Sequence, residues 1–307
     1  MTEEWSQLIK AIIELKPDQN LLKDYLWPII TGLLSALVGF LIAQWTIKHQ
    51  EFIQLTKTKL DNGNSLALLI YQAQAKLIAI KKNYAKKLSD KNPGFNDPTF
   101  RLLSIPRMER NDLLEFKVES VIFILDNNQR KLNIWEKAIT NKINSIEPHT
   151  LNWKNLSRIL SMIENHNQCQ IVLEKRTNLF NSIIEILSKN TTSNSINEDF
   201  LKTITPPQLL KEAIDLTELL IIMIDDLIIE MSSFLNEFPK LMNATIDTKK
   251  IRQYGTVLSF EIPEGTEFLY NERCGSVNYE DLQKILGEDD LNFITKKYKH
   301  GLMTSEK

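Results

Sequence analysis

Residues 26–47 read LWPIITGLLSALVGFLIAQWTI, a run of 22 residues without a charged side chain. An α-helix of roughly 20 apolar residues crosses a hydrocarbon core about 30 Å thick and pairs its own backbone groups on the way. Tyr25 and Trp27 lie at one end of the run and Trp45 lies near the other, and their amphipathic rings suit the two headgroup layers. We therefore predict a transmembrane helix over residues 25–48, with these three aromatic residues as interfacial anchors.

Two other interpretations of this run fit it less well. A core helix of this length in a soluble protein normally carries a polar face, and this run has none. A cleaved signal peptide has an apolar run of about 7–15 residues, shorter than the one here. The membrane span is the interpretation that the residues favour.

Small residues recur along one face of the predicted span. They are Gly32, Ser35, Ala36, Gly39 and Ala43. Such spacing lets the backbones of two membrane helices approach closely. The pattern predicts a self-association face and hence a homo-oligomer within the lipid bilayer.

Lysine counts on the two sides of the span do not decide its orientation. Residues 1–25 and residues 48–67 carry three lysines each, but six more follow between residues 68 and 92. The chain has two cysteines, which gives no sign of a disulfide framework. The excess of lysines predicts a short external N-terminus and a cytosolic C-terminal part. The abundance of Asn, Lys and Ile suggests a bacterial protein, and so its cytoplasmic membrane; the inverted topology is the alternative.

The rest of the chain predicts a mainly α-helical protein. The transmembrane helix would continue into a long antiparallel helical bundle or coiled coil, followed by a small α+β tail that contains a β-hairpin. Nine glycines in 307 residues suit long uninterrupted helices. The expected domains are an amphipathic segment, the transmembrane helix, the cytosolic helical bundle and the α+β tail, over residues 1–24, 25–48, 49–238 and 239–307.

Helical spacing of apolar residues predicts four long helices, which span residues 48–90, 111–146, 151–188 and 207–238. A loop with three prolines over residues 91–110 and a polar loop over residues 189–197 separate them. In the second helix the apolar residues recur at steps of three and four, which is typical of a coiled coil. Similar helix lengths and short connections favour an up-and-down bundle.

After Pro239 the sequence pattern changes. Residues 254–262 alternate in hydrophobicity, Pro263 and Gly265 indicate a turn, and residues 266–270 predict a second strand of a hairpin. Residues 278–286 and 289–298 read as short helices.

Two clusters of charged residues are candidate binding features. One is a basic group near the end of the first long helix, with Asp90 as its only acid: Lys76, Lys81, Lys82, Lys86, Lys87 and Lys91. It is either a solvated helix end or a docking patch for an acidic cytosolic protein, with nucleic acid as a less expected partner. The second cluster is Asp225 and Asp226, within the most apolar soluble helix. We expect one of them in solvent and the other paired with Lys or Arg, and a buried polar site is the alternative.

The sequence carries no recognisable catalytic, cofactor-binding or metal-binding motif. It has no glycine-rich phosphate loop, no HExxH, no paired CxxC and no nucleophile elbow, and its four histidines are scattered singly. Adjacent helical residues point about 100° apart, so Asp225 and Asp226 cannot hold one metal ion together. Arg158 and His166 share a predicted helix, but their separation exceeds the Arg-x(4–6)-His spacing of helical ribonucleases.

We therefore expect a non-enzymatic protein without a cofactor. In this interpretation a single-pass, membrane-anchored helical protein self-associates and couples an intracellular protein interaction to the membrane, as a scaffold or sensor. The alternative is an oligomeric effector that permeabilises the membrane, for example in bacterial anti-phage defence. A helical ribonuclease that uses Arg158 and His166 is the third and least supported function.

Overall fold

The computed structural model describes residues 4–7, 9–10, 26–125, 152–190, 198–246 and 251–300. These residues are mainly helical, and none of them forms a β-strand. The chain divides into two compact units, residues 1–57 and residues 58–307, which are described in turn.

The first unit is helical throughout its described part. Residues 4–7 and 9–10 are helical, and helix α1 begins at Trp27 and ends at Lys82, beyond the limit of the unit. Pro28 lies in the first turn of α1, where its missing N–H leaves no helical hydrogen bond unmade. Every residue from 26 to 51 is exposed. The first half-buried residue of α1 is Phe52. One described helix, α1, is long and apolar enough to span a membrane, as predicted.

In the second unit the remainder of α1 packs into a core. Leu66, Ile70 and Leu77 are fully buried on this part of the helix. Residues 61–65, which read DNGNS, are helical, so α1 continues through them without a turn. Gly63 faces the Met242 side chain so closely that a Cβ atom at Gly63 would overlap it. The absence of a side chain at Gly63 leaves room for the flexible end of Met242.

Helix α6, Pro207–Thr245, is the central helix of this unit. Its flanking partners are α1 and helix α4, Leu156–Asn190, and its buried residues lie all around it. Residues near the C-terminal end of α6 contact residues that come first along each partner, and residues nearer its N-terminal end contact residues that come later. Both partners therefore lie antiparallel to α6. The pairs are Gln74 with Ser232, Lys81 with Asp225, Arg158 with Glu230 and Arg176 with Thr217.

The predicted helix over residues 111–146 is wrong at its start. Residues 106–117 are not helical, helix α3 spans Val118–Leu125, and residues 126–146 lie outside the described ranges. Side-chain amides of α4 bind the backbone of this non-helical segment instead. Asn167 accepts a hydrogen bond from Leu114 N at 2.8 Å and donates one to Leu114 O at 3.1 Å, and Gln170 accepts one from Asn111 N at 3.0 Å. The four-helix bundle and the coiled coil stay predictions.

The chain turns sooner after α1 than expected. Residues 83–96 form a series of turns where the sequence predicted helix to residue 90. The predicted loop over residues 91–110 contains helix α2, Pro98–Ser104, which starts with proline in its first turn. The Asp97 side chain accepts hydrogen bonds from Thr99 N and Phe100 N, both at 2.8 Å, and so caps α2.

The predicted β-hairpin is wrong, since residues 255–262 form neither a strand nor a helix. Asn64 of α1 provides the hydrogen bonds that a neighbouring strand would make: it donates to Thr256 O at 2.9 Å and accepts from Leu258 N at 3.0 Å. The turn at Gly265 does form, with φ 76°. The expected second strand is instead helix α7, Glu267–Asn271, in which the adjacent Leu269 and Tyr270 are both buried, an arrangement that an alternating strand does not give.

Short helices complete the unit at positions close to those predicted. Helix α8 spans Tyr279–Leu286 between an Asn278 cap and left-handed Gly287, and helix α9, Leu291–Lys297, is capped by Asp290. Helix α5, Glu198–Ile204, precedes α6. Buried residues of α8 and α9 pack with those of α4 and α6 in one hydrophobic core.

Candidate functional site

The exposed part of α1 carries large apolar side chains on all sides. Leu33, Trp27 and Trp45 are 67%, 65% and 68% exposed. Two hydroxyl groups in this stretch bond to their own helix: Thr31 Oγ1 donates to Trp27 O at 2.8 Å and Thr46 Oγ1 donates to Ile42 O at 2.9 Å. These polar groups are therefore satisfied without water, which suits an apolar medium.

The predicted membrane residues lie on this exposed surface. Gly32 and Gly39 have no other heavy atom within 4 Å of a Cβ built on them, apart from their own helix backbone. Ser35, Ala36 and Ala43 are exposed as well. Trp45 stacks on His49 with ring centroids 5.3 Å apart. Tyr25 lies outside the described residues.

A group of buried ion pairs in the second unit is the candidate polar site. Its three acids lie on α6: Glu218, Asp225 and Asp226 are 1%, 0% and 7% exposed. Glu218 and Asp225 are seven residues apart and so share one face of the helix. Each acid has a different cationic partner, and the partners come from α1, from α2 and from the segment after α7. We call this group the buried charge cluster.

Asp225 joins three elements at the centre of the cluster. Its carboxylate accepts from Lys81 Nζ at 2.9 Å and from the backbone N–H of Cys274 at 2.7 Å. Lys81 also donates to Glu272 O at 2.5 Å. Burial and the negative charge of Asp225 raise the pKa of the Cys274 thiol, which is therefore neutral. This arrangement ties the end of α1 to α6 and to residues 272–274.

Glu218 forms the second pair of the cluster. Arg101 Nε donates to both of its carboxylate oxygens, at 2.8 and 2.9 Å, and Arg101 Nη1 donates to Phe95 O and Gly275 O. Burial raises the pKa of Glu218, and Arg101 opposes that rise. The fixed fork of the guanidinium therefore holds four chain segments together, a geometry that lysine does not reproduce.

Asp226 forms the third pair, at the more exposed side of the cluster. It accepts from Arg273 Nε at 3.0 Å, and His300 Nδ1 lies 3.9 Å from the same oxygen. Both aspartates are buried, whereas the simpler of the two sequence interpretations places one of them in solvent. No group of three His, Cys, Asp or Glu side chains within the described residues is arranged to hold a metal ion.

Arg176 is a fully buried cation that has no carboxylate partner in the hydrogen bonds described for it. Its guanidinium donates to the carbonyl oxygens of Leu102, Ile105 and Pro106, at 2.8, 2.6 and 2.9 Å. The first two lie at the C-terminal end of α2, where helix carbonyls carry partial negative charge. Burial lowers the pKa of Arg176 to about 10, so it stays charged at neutral pH and fixes α2 against α4.

The lysines of the predicted basic patch differ in burial and in partners. Lys81 is buried in the charge cluster, and Lys76 lies 3.9 Å from Asp112. Lys82, Lys86, Lys87 and Lys91 are exposed. Two of them, Lys86 and Lys91, line a cavity of about 660 Å³ together with Lys81 and Arg273.

Arg158 and His166 make separate sets of contacts. Arg158 lies over the Trp153 ring, 3.7 Å from its centroid, and 3.8 Å from Glu230. His166 is 1% exposed and contacts Asn167 and Gln170. Burial lowers its pKa, so the ring is neutral at pH 7.

Sequence reasoning missed Arg101, Arg176 and Glu218. The spacing of Glu218 and Asp225 on an apolar helix was a usable signal, since it places two acids on one buried face that needs cations opposite. Arg101 and Arg176 gave no comparable signal, because their partners are mostly backbone carbonyls whose positions depend on the fold.

Together these features define a protein whose described part is mainly helical. One N-terminal helix is long and apolar enough to span a membrane, and buried ion pairs connect the chain segments within the second unit. Comparison with known proteins found no matching family model, no similar curated protein and no similar solved structure.

Proposed function

We propose that this chain is a single-pass membrane protein of the bacterial cytoplasmic membrane, with its C-terminal unit in the cytosol. The observation that carries the proposal is the exposed, uncharged and apolar surface of residues 26–47. Apolar surface of this extent in water opposes solubility, and a bilayer removes it from water. Trp27 and Trp45 lie near the two ends of the segment, as the two headgroup layers require.

The chain self-associates through the small residues of its span. Gly32, Ser35 and Gly39 belong to one face, and their short side chains leave room for a second helix backbone. Van der Waals contact at such a face is a principal source of helix association in lipid. In the cytosol the chain would form the four-helix bundle predicted over residues 49–238, with the coiled-coil spacing of residues 111–146 in its second helix.

The C-terminal unit couples a cytosolic protein to the membrane and has no catalytic role. Two features support this. Helix α1 contains both the apolar segment and Lys81 of the buried charge cluster, so a change in that cluster acts on the same helix. The acids of the cluster are neutralised by adjacent cations, an arrangement that fixes the positions of chain segments.

The oligomer mass of the full chain in detergent tests self-association. We expect Gly39→Leu to reduce the mass to that of the monomer, because the larger side chain separates the helices. Leu41→Phe is the matched control: it also enlarges a side chain, but on the opposite face of the helix, and it should leave the mass unchanged. A chain without residues 1–48 should be monomeric. An unchanged mass for Gly39→Leu would show that this face is not the contact.

A membrane-permeabilising effector is the second candidate function. The exposed span has one strongly polar side chain between its aromatic ends, Gln44, so a water-filled pore would need several copies to line it. Overexpression in bacteria separates the two functions. Loss of membrane potential and growth arrest, both abolished by Gly39→Leu, would favour the effector. Normal potential and growth would favour the scaffold or sensor.

A further inference from the structure

A cavity of about 660 Å³ lies beside the end of α1 in the second unit. Residues 81–92 form one side of it, and residues 268–275 form the other. Its volume is within the range of about 300–1,000 Å³ that is usual for small-molecule sites. It is too small for a folded protein domain, so an occupant would be a small molecule.

The lining contains four cations, Lys81, Lys86, Lys91 and Arg273, and two acids, Asp90 and Glu272. Lys81 and Arg273 are held by ion pairs with Asp225 and Asp226, so their positions are set before any ligand arrives. Lys81 uses two of its three donors on Asp225 and Glu272 O, which leaves the third.

Lys86 and Lys91 have no ion-pair partner in the described part of the chain. Lys81 and Lys82 complement the negative C-terminal end of α1, which is the simplest structural account of lysines at this place. That account does not extend to Lys86 and Lys91, because both lie beyond the end of the helix. Two unpaired ammonium groups on one cavity favour an anionic ligand, and a phosphate is the common anion that lysine binds as a point charge.

The remaining lining residues add two further requirements. The carboxylates of Asp90 and Glu272 are acceptors, which suit hydroxyl or amino groups on the ligand. Ala85, Leu88 and Phe268 provide apolar surface, which suits a ring. A nucleotide combines phosphate, hydroxyl groups, amino groups and a ring in one molecule of this size.

We propose that the cavity between residues 81–92 and 268–275 binds a nucleotide, with its phosphates at Lys86, Lys91 and Arg273. The ring lies against Phe268, and Asp90 and Glu272 accept hydrogen bonds from the sugar or the base. This binding does not depend on the proposed membrane span or on self-association. It does place a ligand beside the Lys81–Asp225 pair, which joins α1 to α6.

Calorimetric titration of the full chain in detergent with ATP, at low ionic strength and with EDTA present, tests the proposal. We expect saturable binding of ATP. Adenosine lacks the phosphates and should bind at least about tenfold more weakly, which corresponds to a loss of about 1.4 kcal/mol of binding free energy. Absence of ATP binding, or equal affinity for adenosine, would overturn it.

Three variants locate the binding. Lys86→Gln with Lys91→Gln should weaken ATP binding by at least about tenfold, because both unpaired cations are removed. Lys240→Gln with Lys296→Gln removes the same charge from exposed positions outside the cavity and should change the affinity less than about twofold. Equal loss in both double variants would indicate attraction to surface charge and would overturn the site.

Ala85→Trp keeps every charge but fills the cavity, and it should abolish binding. Retained ATP affinity in this variant, with an unchanged circular dichroism spectrum, would also overturn the proposed site.

Discussion

The two parts of helix α1 have similar apolar content but opposite surroundings. In residues 26–51 every side chain is exposed, whereas in residues 58–82 an apolar residue is buried at almost every turn. Leu33 is 67% exposed and Leu66 is 0% exposed, although both are leucines on the same helix. The described residues of this chain supply the partners for the second part. No described residue covers the side chains of the first part, which supports the proposal that lipid or further copies of the chain do so.

Of the substitutions considered, charged residues introduced into residues 26–51 should have the largest effect, and that effect is on membrane association. Leu37→Arg with Leu41→Arg places two guanidinium groups near the centre of the span, at about 2.5–3.5 kcal/mol each. We expect most of this variant to leave the membrane pellet on carbonate extraction. Leu55→Arg with Leu68→Arg puts the same charge on two exposed leucines of α1 outside residues 25–48, and this variant should stay in the pellet. If both variants behave alike, the two parts of α1 do not differ as described.

Replacement of Asp225 tests how much its ion pair with Lys81 stabilises the second part of α1 in its unit. Asp225→Ala leaves Lys81 buried without its anion and Cys274 N without an acceptor. We expect the free energy of unfolding to fall by about 3–5 kcal/mol, measured by urea titration in detergent and followed by circular dichroism. The control is Glu185→Ala, which breaks the exposed Glu185–Lys189 pair and should cause no measurable change. Replacing both partners, as Lys81→Met with Asp225→Leu, should restore much of the loss. A small effect of Asp225→Ala would show that the cluster is open to water.

A matched pair of leucine truncations compares the two parts directly. Leu66→Ala removes a fully buried side chain and should lower the free energy of unfolding by about 3 kcal/mol in the same urea titration. Leu33→Ala makes the same chemical change in the exposed part and should not alter unfolding of the second unit. Equal effects of the two substitutions would contradict the assignment of separate environments.

The pH dependence of stability should come from the second unit, because residues 26–47 contain no charged side chain. Burial lowers the pKa of His166 below its ordinary value of 6.5. The unfolded chain therefore takes up a proton at this residue before the folded chain does. The stabilising contribution of neutral His166 is complete above pH 6.5 and is lost as the pH falls from 6.5 through the folded pKa, at up to about 1.4 kcal/mol per pH unit.

Urea titrations between pH 7.5 and about 5 measure this dependence. His166→Gln should reduce the slope of the free energy of unfolding against pH in the acid part of that range. An unchanged slope would mean that His166 is protonated equally in both states. Gln168→Ala provides the comparison: it changes an exposed side chain of the same helix that does not titrate, so it should leave the slope as it is.

The long helices were predictable because their apolar spacing is local information. The apolar run at residues 26–47, the stripe on α4 and the caps at Asn278 and Gly287 could all be read from neighbouring residues. The failures occurred where side chains from a distant element bind the backbone. Asn167 binds both backbone groups of Leu114 in a non-helical segment, and Asn64 takes the place of a partner strand for residues 256–258. Asn167 and Gln170 were visible in the sequence as polar gaps in an apolar stripe, but nothing local indicated what they bind.

The charge cluster was predictable only in part, for the same reason. Two adjacent aspartates on an apolar helix suggest a buried polar site, and Glu218 seven residues earlier extends that face. Lys81, Arg101 and Arg273 lie 144, 117 and 47 residues from their acids along the chain, and only the fold brings them together.

Labelling of two matched cysteine variants by a water-soluble maleimide tests the central claim most directly. Ser35→Cys and Ser65→Cys change exposed serines on the same helix, and the native cysteines Cys169 and Cys274 are buried. In native membranes opened on both sides, we predict rapid labelling at position 65 and almost none at position 35, with both fully labelled in denaturing detergent. Equal labelling of the two positions before denaturation would show that residues 26–47 lie in water and would contradict the account.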